Sequence, residues 1–326
     1  MNGELPVELT TPDVERPETG PDDPRLGSWL AAGGPAPAET RVALVGFPSD
    51  EGVRRNGGRP GAADGPGALR RELYRLTPEP RDPAREPMMD LLKRTRDLGD
   101  VPVDGDVEAD QERLADVLAR LLERGVIPVV LGGGHETAFG HFLAYVRAGL
   151  GVEIVNWDAH PDVRPWEDVG AHSGSPFRQA VEHPSGACRG YSVAGLQPRS
   201  VARAHLEYLR RRGAEVLWRD ETDAASVREL LERIGAPAMA SFDLDAVDRA
   251  DAPGVSAPAT GGLAPGIWLD VAERCGRTEA VSSIDIVELN PEFDRDGQTA
   301  ALAASTVWRF LRGLALRGSG TAVTAV

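Results

Sequence analysis

Two kinds of apolar pattern alternate along this chain. Val42 to Phe47 (VALVGF), Val126 to Leu131 (VIPVVL), Val152 to Trp157 (VEIVNW), Glu215 to Trp218 (EVLW), Ala238 to Phe242 (AMASF) and Ala280 to Ile286 (AVSSIDI) are short, nearly continuous apolar runs. Such runs suit strands buried on both faces. Between them lie helical patterns. Gln111 to Arg124 places Leu114, Val117, Leu118, Leu121 and Leu122 on one face. Ser200 to Arg212, Ser226 to Ile234, Pro265 to Arg274 and Thr299 to Leu316 read as further helices. Strand-helix alternation predicts an α/β fold of three layers, α/β/α, with a mostly parallel sheet and helices on both faces. No internal repeat or linker interrupts residues 40 to 320, which predicts a single domain. Residues 1 to 39 are rich in Pro, Gly, Glu and Asp without a period, and predict a flexible arm. Residues 321 to 326 read as a short tail.

Composition narrows the class. The chain has 326 residues and a formal net charge of −15. That charge argues against nucleic acid and anionic membranes as partners. No apolar run approaches the roughly 20 residues that span a bilayer, and the N-terminal residues lack a secretory pattern. Cys188 and Cys275 are far apart and outside any CxxC spacing, as expected of thiols in a reducing compartment. The expected location is cytoplasmic and the expected partner a small-molecule substrate.

Polar clusters then follow directly on four of the apolar runs. GGGHE (Gly132 to Glu136) follows VIPVVL, DAHPD (Asp158 to Asp162) follows VEIVNW, DLDAVD (Asp243 to Asp248) follows AMASF, and ELN (Glu288 to Asn290) follows SSIDIV. In open α/β sheets ligands bind beyond the carboxyl ends of the strands, so the four clusters are expected to converge. His135, Asp158, His160, Asp162, Asp243 and Asp245 offer two imidazoles and four carboxylates. So many carboxylates cannot stay ionised together without cations. An oxygen-rich set with a minority of nitrogens suits Mn²⁺, and its size suits two ions per chain. If D-x-H-x-D and D-x-D remain extended, alternate residues face one site.

These motifs resemble the ureohydrolase (arginase) family. The resemblance rests on GGGHE, NWDAHPD, SFDLDAVD and DIVELNP and runs from Arg41 to Leu316. It implies an arginase-like fold and a dinuclear manganese site. His135, Asp158, Asp162 and Asp243 would hold one ion, and Asp158, His160, Asp243 and Asp245 the other, with Asp158 and Asp243 shared. Glu288 matches the glutamate that receives a cationic amidine or guanidine group. Asp162 is the candidate proton shuttle. Homo-oligomers are common in the family, so one is expected here.

Two further segments, DEGVRRNGGRPGAADGP (Asp50 to Pro66) and SGSPFRQ (Ser173 to Gln179), resemble the formimidoylglutamase branch. That branch would hydrolyse N-formimidoyl-L-glutamate to L-glutamate and formamide, a step of histidine degradation. The expected nucleophile is a hydroxide shared by the two ions. Alternatives are a ureohydrolase acting on a guanidino acid, or a non-catalytic member of the fold. Where arginases and agmatinases carry a histidine in an HGxP turn, this chain has Ser173, preceded by His172; His172 is expected on a surface loop, the alternative being that it swings in as a replacement acid-base group. A substrate with two carboxylates requires local arginines. Arg54 and Arg55 are the first candidates, with Ser173 beside them; Arg59, Arg164 and Arg178 follow.

Overall fold

The computed structural model describes residues 6–17, 19–20, 22–30 and 39–317. Eight strands form one sheet: β1 (Val42–Phe47), β2 (Thr95–Asp100), β3 (Ile127–Gly132), β4 (Val152–Trp157), β5 (Cys188–Leu196), β6 (Glu215–Trp218), β7 (Ala238–Asp243) and β8 (Val281–Val287). Their spatial order is β2-β1-β3-β8-β7-β4-β5-β6, and every pairing is parallel. The helices among the described residues are α1 (Leu26–Leu30), α2 (Glu51–Arg55), α3 (Gly65–Arg75), α4 (Arg85–Lys93), α5 (Val107–Leu122), α6 (Thr137–Arg147), α7 (Pro176–Glu182), α8 (Arg203–Arg211), α9 (Ala224–Arg233), α10 (Pro265–Arg277) and α11 (Gln298–Ala315).

The period of two in a strand explains why the central runs are apolar throughout. In β1, Val42 and Leu44 pack toward α1, α3, α4 and α11, in the layer that also holds α9 and α10. Ala43, Val45 and Phe47 pack on the opposite face against α5. Ile154 of β4 and Met239 of β7 join α6, α7 and α8 on that second face. Three layers result, as expected. No helix among the described residues is long and apolar enough to cross a membrane.

The expectation of a flexible arm needs correction for its described part. Thr10 and Asp100 exchange two backbone hydrogen bonds of 2.9 Å, so the arm shields the outer edge of β2. Leu26 and Leu30 of α1 are buried in the core. Two isolated leucines in a Pro-rich stretch give no periodic signal, although each removes apolar surface from water. The expected tail, residues 321 to 326, lies outside the described residues.

Candidate metal centre

The clusters after β3, β8, β7 and β4 emerge from four adjacent strands in the middle of the sheet. They therefore converge at one place. Glycine at position 133 is required there. A Cβ on Gly133 would lie 1.9 Å from the Ser49 carbonyl oxygen, and that same carbonyl accepts the Gly134 N–H at 2.8 Å. The Glu288 N–H donates to the Gly133 carbonyl at 2.8 Å, while the His135 N–H donates to Glu288 Oε1 at 2.8 Å. The loop after β3 and the end of β8 are thus tied together.

The two aspartate motifs do not stay extended, so that expectation is corrected. Asp158 Oδ1 accepts the His160 N–H at 2.6 Å, and Asp243 Oδ1 accepts the Asp245 N–H at 2.8 Å. Each first aspartate folds back on the backbone two residues on, as short polar side chains do in turns. Leu244–Ala246 continues as a turn of 3₁₀ helix. The turns still bring the side chains together. His135 Nδ1 lies 3.4 Å from Asp158 Oδ2, 3.0 Å from Asp162 Oδ2 and 2.9 Å from Asp243 Oδ2. His160 Nδ1 lies 3.4 Å from Asp158 Oδ1 and 3.1 Å from Asp245 Oδ2. Two overlapping ligand groups follow: His135, Asp158, Asp162 and Asp243, and Asp158, His160 and Asp245. Asp158 belongs to both, through its two oxygens. Asp243 falls in the first group only.

Several polar atoms here have no hydrogen-bond partner among the described residues although buried: His135 Nδ1, Asp245 Oδ1 and Glu288 Oε2. Native proteins rarely leave such atoms orphaned. A donor set of imidazole nitrogen and carboxylate oxygen, with unspent lone pairs facing one another, fits divalent manganese. The electrostatics agree. Burial, then the charges of Asp245 and Asp158, push Asp243 well above the carboxylate range. Burial also raises Asp245 to about 7. Burial and the nearby Asp243 and Glu136 raise Glu288. Burial opposes a charged His135, but Asp158, Asp162 and Asp243 outweigh it and hold its pKa high. Asp245 does the same for His160. Protons thus balance the charge that cations would otherwise balance.

The remaining residues divide. Ser173 is buried; its Oγ accepts from Asn56 Nδ2 at 3.0 Å, and its N–H donates to the Gly52 carbonyl at 3.1 Å. Asn56 Oδ1 in turn accepts from Arg164 Nη1 at 2.9 Å. Arg55 pairs with Glu108 at 2.9 Å and donates to the Ala171 carbonyl. Arg54 is half exposed and lies 3.6 Å from Asp50 and 3.8 Å from Glu51. Arg59 donates to the Val255 and Ser256 carbonyls and stacks 4.1 Å over Phe293, pinning two loops. Arg178 lies 3.4 Å from Glu182 and 4.9 Å over Tyr208. His172 is buried rather than on a surface loop. Its Nδ1 accepts from the Gly174 N–H, and its Nε2 donates to the Pro165 carbonyl, each at 3.1 Å.

Sequence reasoning missed three supports. Asn56 links Ser173 to Arg164. Asn156 Nδ2 donates to Asp158 Oδ2 at 3.0 Å. Glu136, fully buried, accepts from the Gly52 N–H at 3.1 Å and from Ser49 Oγ, and burial raises its carboxyl to about 7. Only the placement of Glu136 within GGGHE could have singled it out.

Known proteins resemble this chain in sequence and fold. The arginase family model matches residues 40–312. Formimidoylglutamase of Geobacillus thermodenitrificans is 39% identical over 279 residues, covering 82% of this chain and 83% of that protein. Formimidoylglutamase of Rhodococcus opacus is 39% identical over 283 residues, covering 82% of this chain and 84% of that one. The crystal structure of Trypanosoma cruzi formiminoglutamase with Mn²⁺ superposes with a TM-score of 0.84 at 32% identity, covering 91% of this chain and 100% of that chain. Parallel sheet, converging carboxylates and matched length agree: the chain belongs to the arginase family.

Proposed function

We propose that this chain is a dinuclear manganese formimidoylglutamase, a hydrolase acting on the C–N bond of a linear amidine in the cytoplasm. The observation that carries the reading is the pair of ligand groups sharing Asp158, with the unpartnered Glu288 Oε2 beside them. The two curated relatives at 39% identity supply the substrate. His135, Asp158, Asp162 and Asp243 would hold one ion; Asp158, His160 and Asp245, with Asp243 as a second shared ligand, would hold the other. When bound, such a pair supplies hydroxide from water near neutral pH.

The protein's own groups do the rest. Glu288 holds the cationic formimidoyl group by charge-assisted hydrogen bonds. Its Oε1 is fixed by the His135 N–H, so Oε2 is the oxygen that receives the substrate. Asp162, partly exposed, carries a proton to the departing glutamate nitrogen. Recognition of the two substrate carboxylates falls to arginine. The distribution of ion pairs favours Arg164 over Arg54 and Arg55. Arg55 is committed to Glu108, whereas Arg164, two residues after Asp162, is exposed and has no ion pair among the described residues. Asn56 holds it beside Ser173.

The test is a side-by-side assay of the manganese-loaded protein on formimidoylglutamate, guanidinobutyrate, agmatine and arginine. Release of formamide from the first, at a kcat/KM well above the others, is expected. Preferential release of urea from a guanidino compound would replace this reading with the guanidino-acid one.

A further inference from the structure

Behind His135 a line of buried polar groups runs between the sheet and α6. His135 Nε2 lies 2.9 Å from Ser241 Oγ on β7. Ser241 Oγ lies 2.5 Å from Asp285 Oδ1 on the paired position of β8. Asp285 Oδ2 lies 2.7 Å from His141 Nδ1. His141 Nε2 lies 2.6 Å from Ser283 Oγ, and Ser283 Oγ 2.6 Å from the Tyr145 hydroxyl. Asp285 and Ser283 share one face of β8, and His141 and Tyr145 share one face of α6, one turn apart. Ser241, Asp285, His141, Ser283 and Tyr145 are all fully buried. Polar groups taken so deep cost stability unless every one is paired, and these are paired in sequence.

The pairing has only one direction near the metal centre. A carboxylate accepts and does not donate. Ser241 must therefore give its single hydroxyl proton to Asp285 Oδ1. Its oxygen can then only accept, so His135 Nε2 must donate to it. A proton is held on Nε2 whatever occupies Nδ1. Nδ1 is the atom that faces Asp158, Asp162 and Asp243 at 2.9 to 3.4 Å, and it has no hydrogen-bond partner among the described residues. The other oxygen of Asp285 accepts the Nδ1 proton of His141, which stops the carboxylate from rotating.

We propose that Asp285, acting through Ser241, is a positioning residue that fixes His135 with its Nδ1 lone pair turned to the ion shared with Asp158, Asp162 and Asp243, and that His141 locks Asp285 in that orientation. The inference rests on the manganese reading above. It assigns no contact between Asp285 and substrate. A partner of this kind strengthens a ligand imidazole as a donor, and its loss typically costs about 10–100-fold in metal affinity.

The test uses Asp285→Asn. An asparagine turned toward Ser241 can donate as well as accept, so the direction of the relay is lost. Equilibrium dialysis with metal analysis, and electron paramagnetic resonance at limiting Mn²⁺, read the result. Wild-type protein should take up a coupled pair. Asp285→Asn should keep one ion, held by Asp158, His160 and Asp245, and bind the other about 10–100-fold more weakly, so that the signal of isolated Mn²⁺ replaces that of the pair. Added Mn²⁺ should restore kcat with KM unchanged, which a general loss of structure would not do. A variant with wild-type melting that binds both ions as tightly as wild type overturns the proposal. Should Asp285→Asn not fold, Ser241→Ala is judged by the same two outcomes. If wild-type protein binds no manganese pair, the manganese reading fails before any substitution is compared, and this inference falls with it.

Discussion

Asp162 and Glu288 sit at φ 42° and 67°, in the left-handed region that side chains other than glycine rarely adopt. Each such residue costs on the order of 1–3 kcal/mol and persists where its surroundings enforce it. Both are proposed to touch substrate or metal, so the strain is spent on aim. Arg164 shows the same economy without strain: its guanidinium is steadied by the neutral Asn56 amide and, among the described residues, is not neutralised by a carboxylate. Hydrogen bonds to a charged group contribute about 1.5–3 kcal/mol each. Arg164→Ala is therefore expected to raise KM for formimidoylglutamate at least about tenfold with metal content intact, whereas Arg55→Ala, which breaks the Glu108 pair, should mainly lower stability. Steady-state kinetics with metal analysis decide it; an unchanged KM in Arg164→Ala together with a large rise in Arg55→Ala would return recognition to the loop of Arg54 and Arg55. The six ligand candidates were legible because acid and imidazole recur after apolar runs. Asn56 was not, since an amide in a glycine-rich loop means nothing until Ser173 and Arg164 fold against it.

At the scale of elements, β1, β3, β4, β7 and β8 were legible because burial on both faces leaves a continuous apolar record. β2 was not: TRDLGD is an edge strand, and its Asp97 and Asp100 pair with the buried Arg70 of α3. A polar edge strand paired to an arginine reads as loop. β5 escaped because Gly190 and Gly195 break its run. The turn from Ala171 to Ser175 was legible as a motif but misread as a surface loop. His172 staples it, accepting from Gly174 and donating to Pro165. With both ring nitrogens engaged, it has no free atom for proton transfer. His172→Ala removes two hydrogen bonds and leaves a small void, so it should cost about 1–3 kcal/mol in stability. Its kcat, measured below the lowered melting temperature, should fall by less than the roughly 10²–10⁴-fold expected for loss of an acid-base group. A loss in that range with full metal content and unchanged melting would make His172 the shuttle in place of Asp162.

Over the whole molecule, an excess of acid is concentrated where the sheet needs cations, and this sets how stability responds to pH. Asp245 and Glu136, whose ordinary values lie near 4, are raised by burial to about 7 in the metal-free fold. The folded state therefore holds protons that the unfolded chain has already released, and stability falls as pH rises from about 4 to 7. His135 and His160, held charged by their acid partners, act with the same sign above their ordinary value: what they contribute is fully present below about 6.5 and is lost as pH climbs through their raised values. Within the cluster, Asp158 runs the other way, as Glu79 does outside it, where hydrogen bonds from Arg81 lower its carboxyl to about 2. Burial opposes the charge of Asp158, but the charged imidazoles of His135 and His160, each 3.4 Å away, lower its pKa, so its contribution is present above about 3.8 and lost toward acid. The metal-free protein is thus expected to be most stable in mild acid. Manganese reverses the trend, because its ligands must be deprotonated and each proton displaced makes binding tighter at higher pH. Ligand binding to the folded state alone adds stability as affinity grows. Thermal melts of chelator-treated and manganese-loaded protein at pH 5.5 and 8 test this directly. The metal-free melting temperature should be lower at pH 8 than at pH 5.5, and the increment from Mn²⁺ larger at pH 8. A metal-free protein that gains stability up to pH 8, with an equal increment from Mn²⁺ at both values, would mean that the buried acids are balanced by something other than protons and metal.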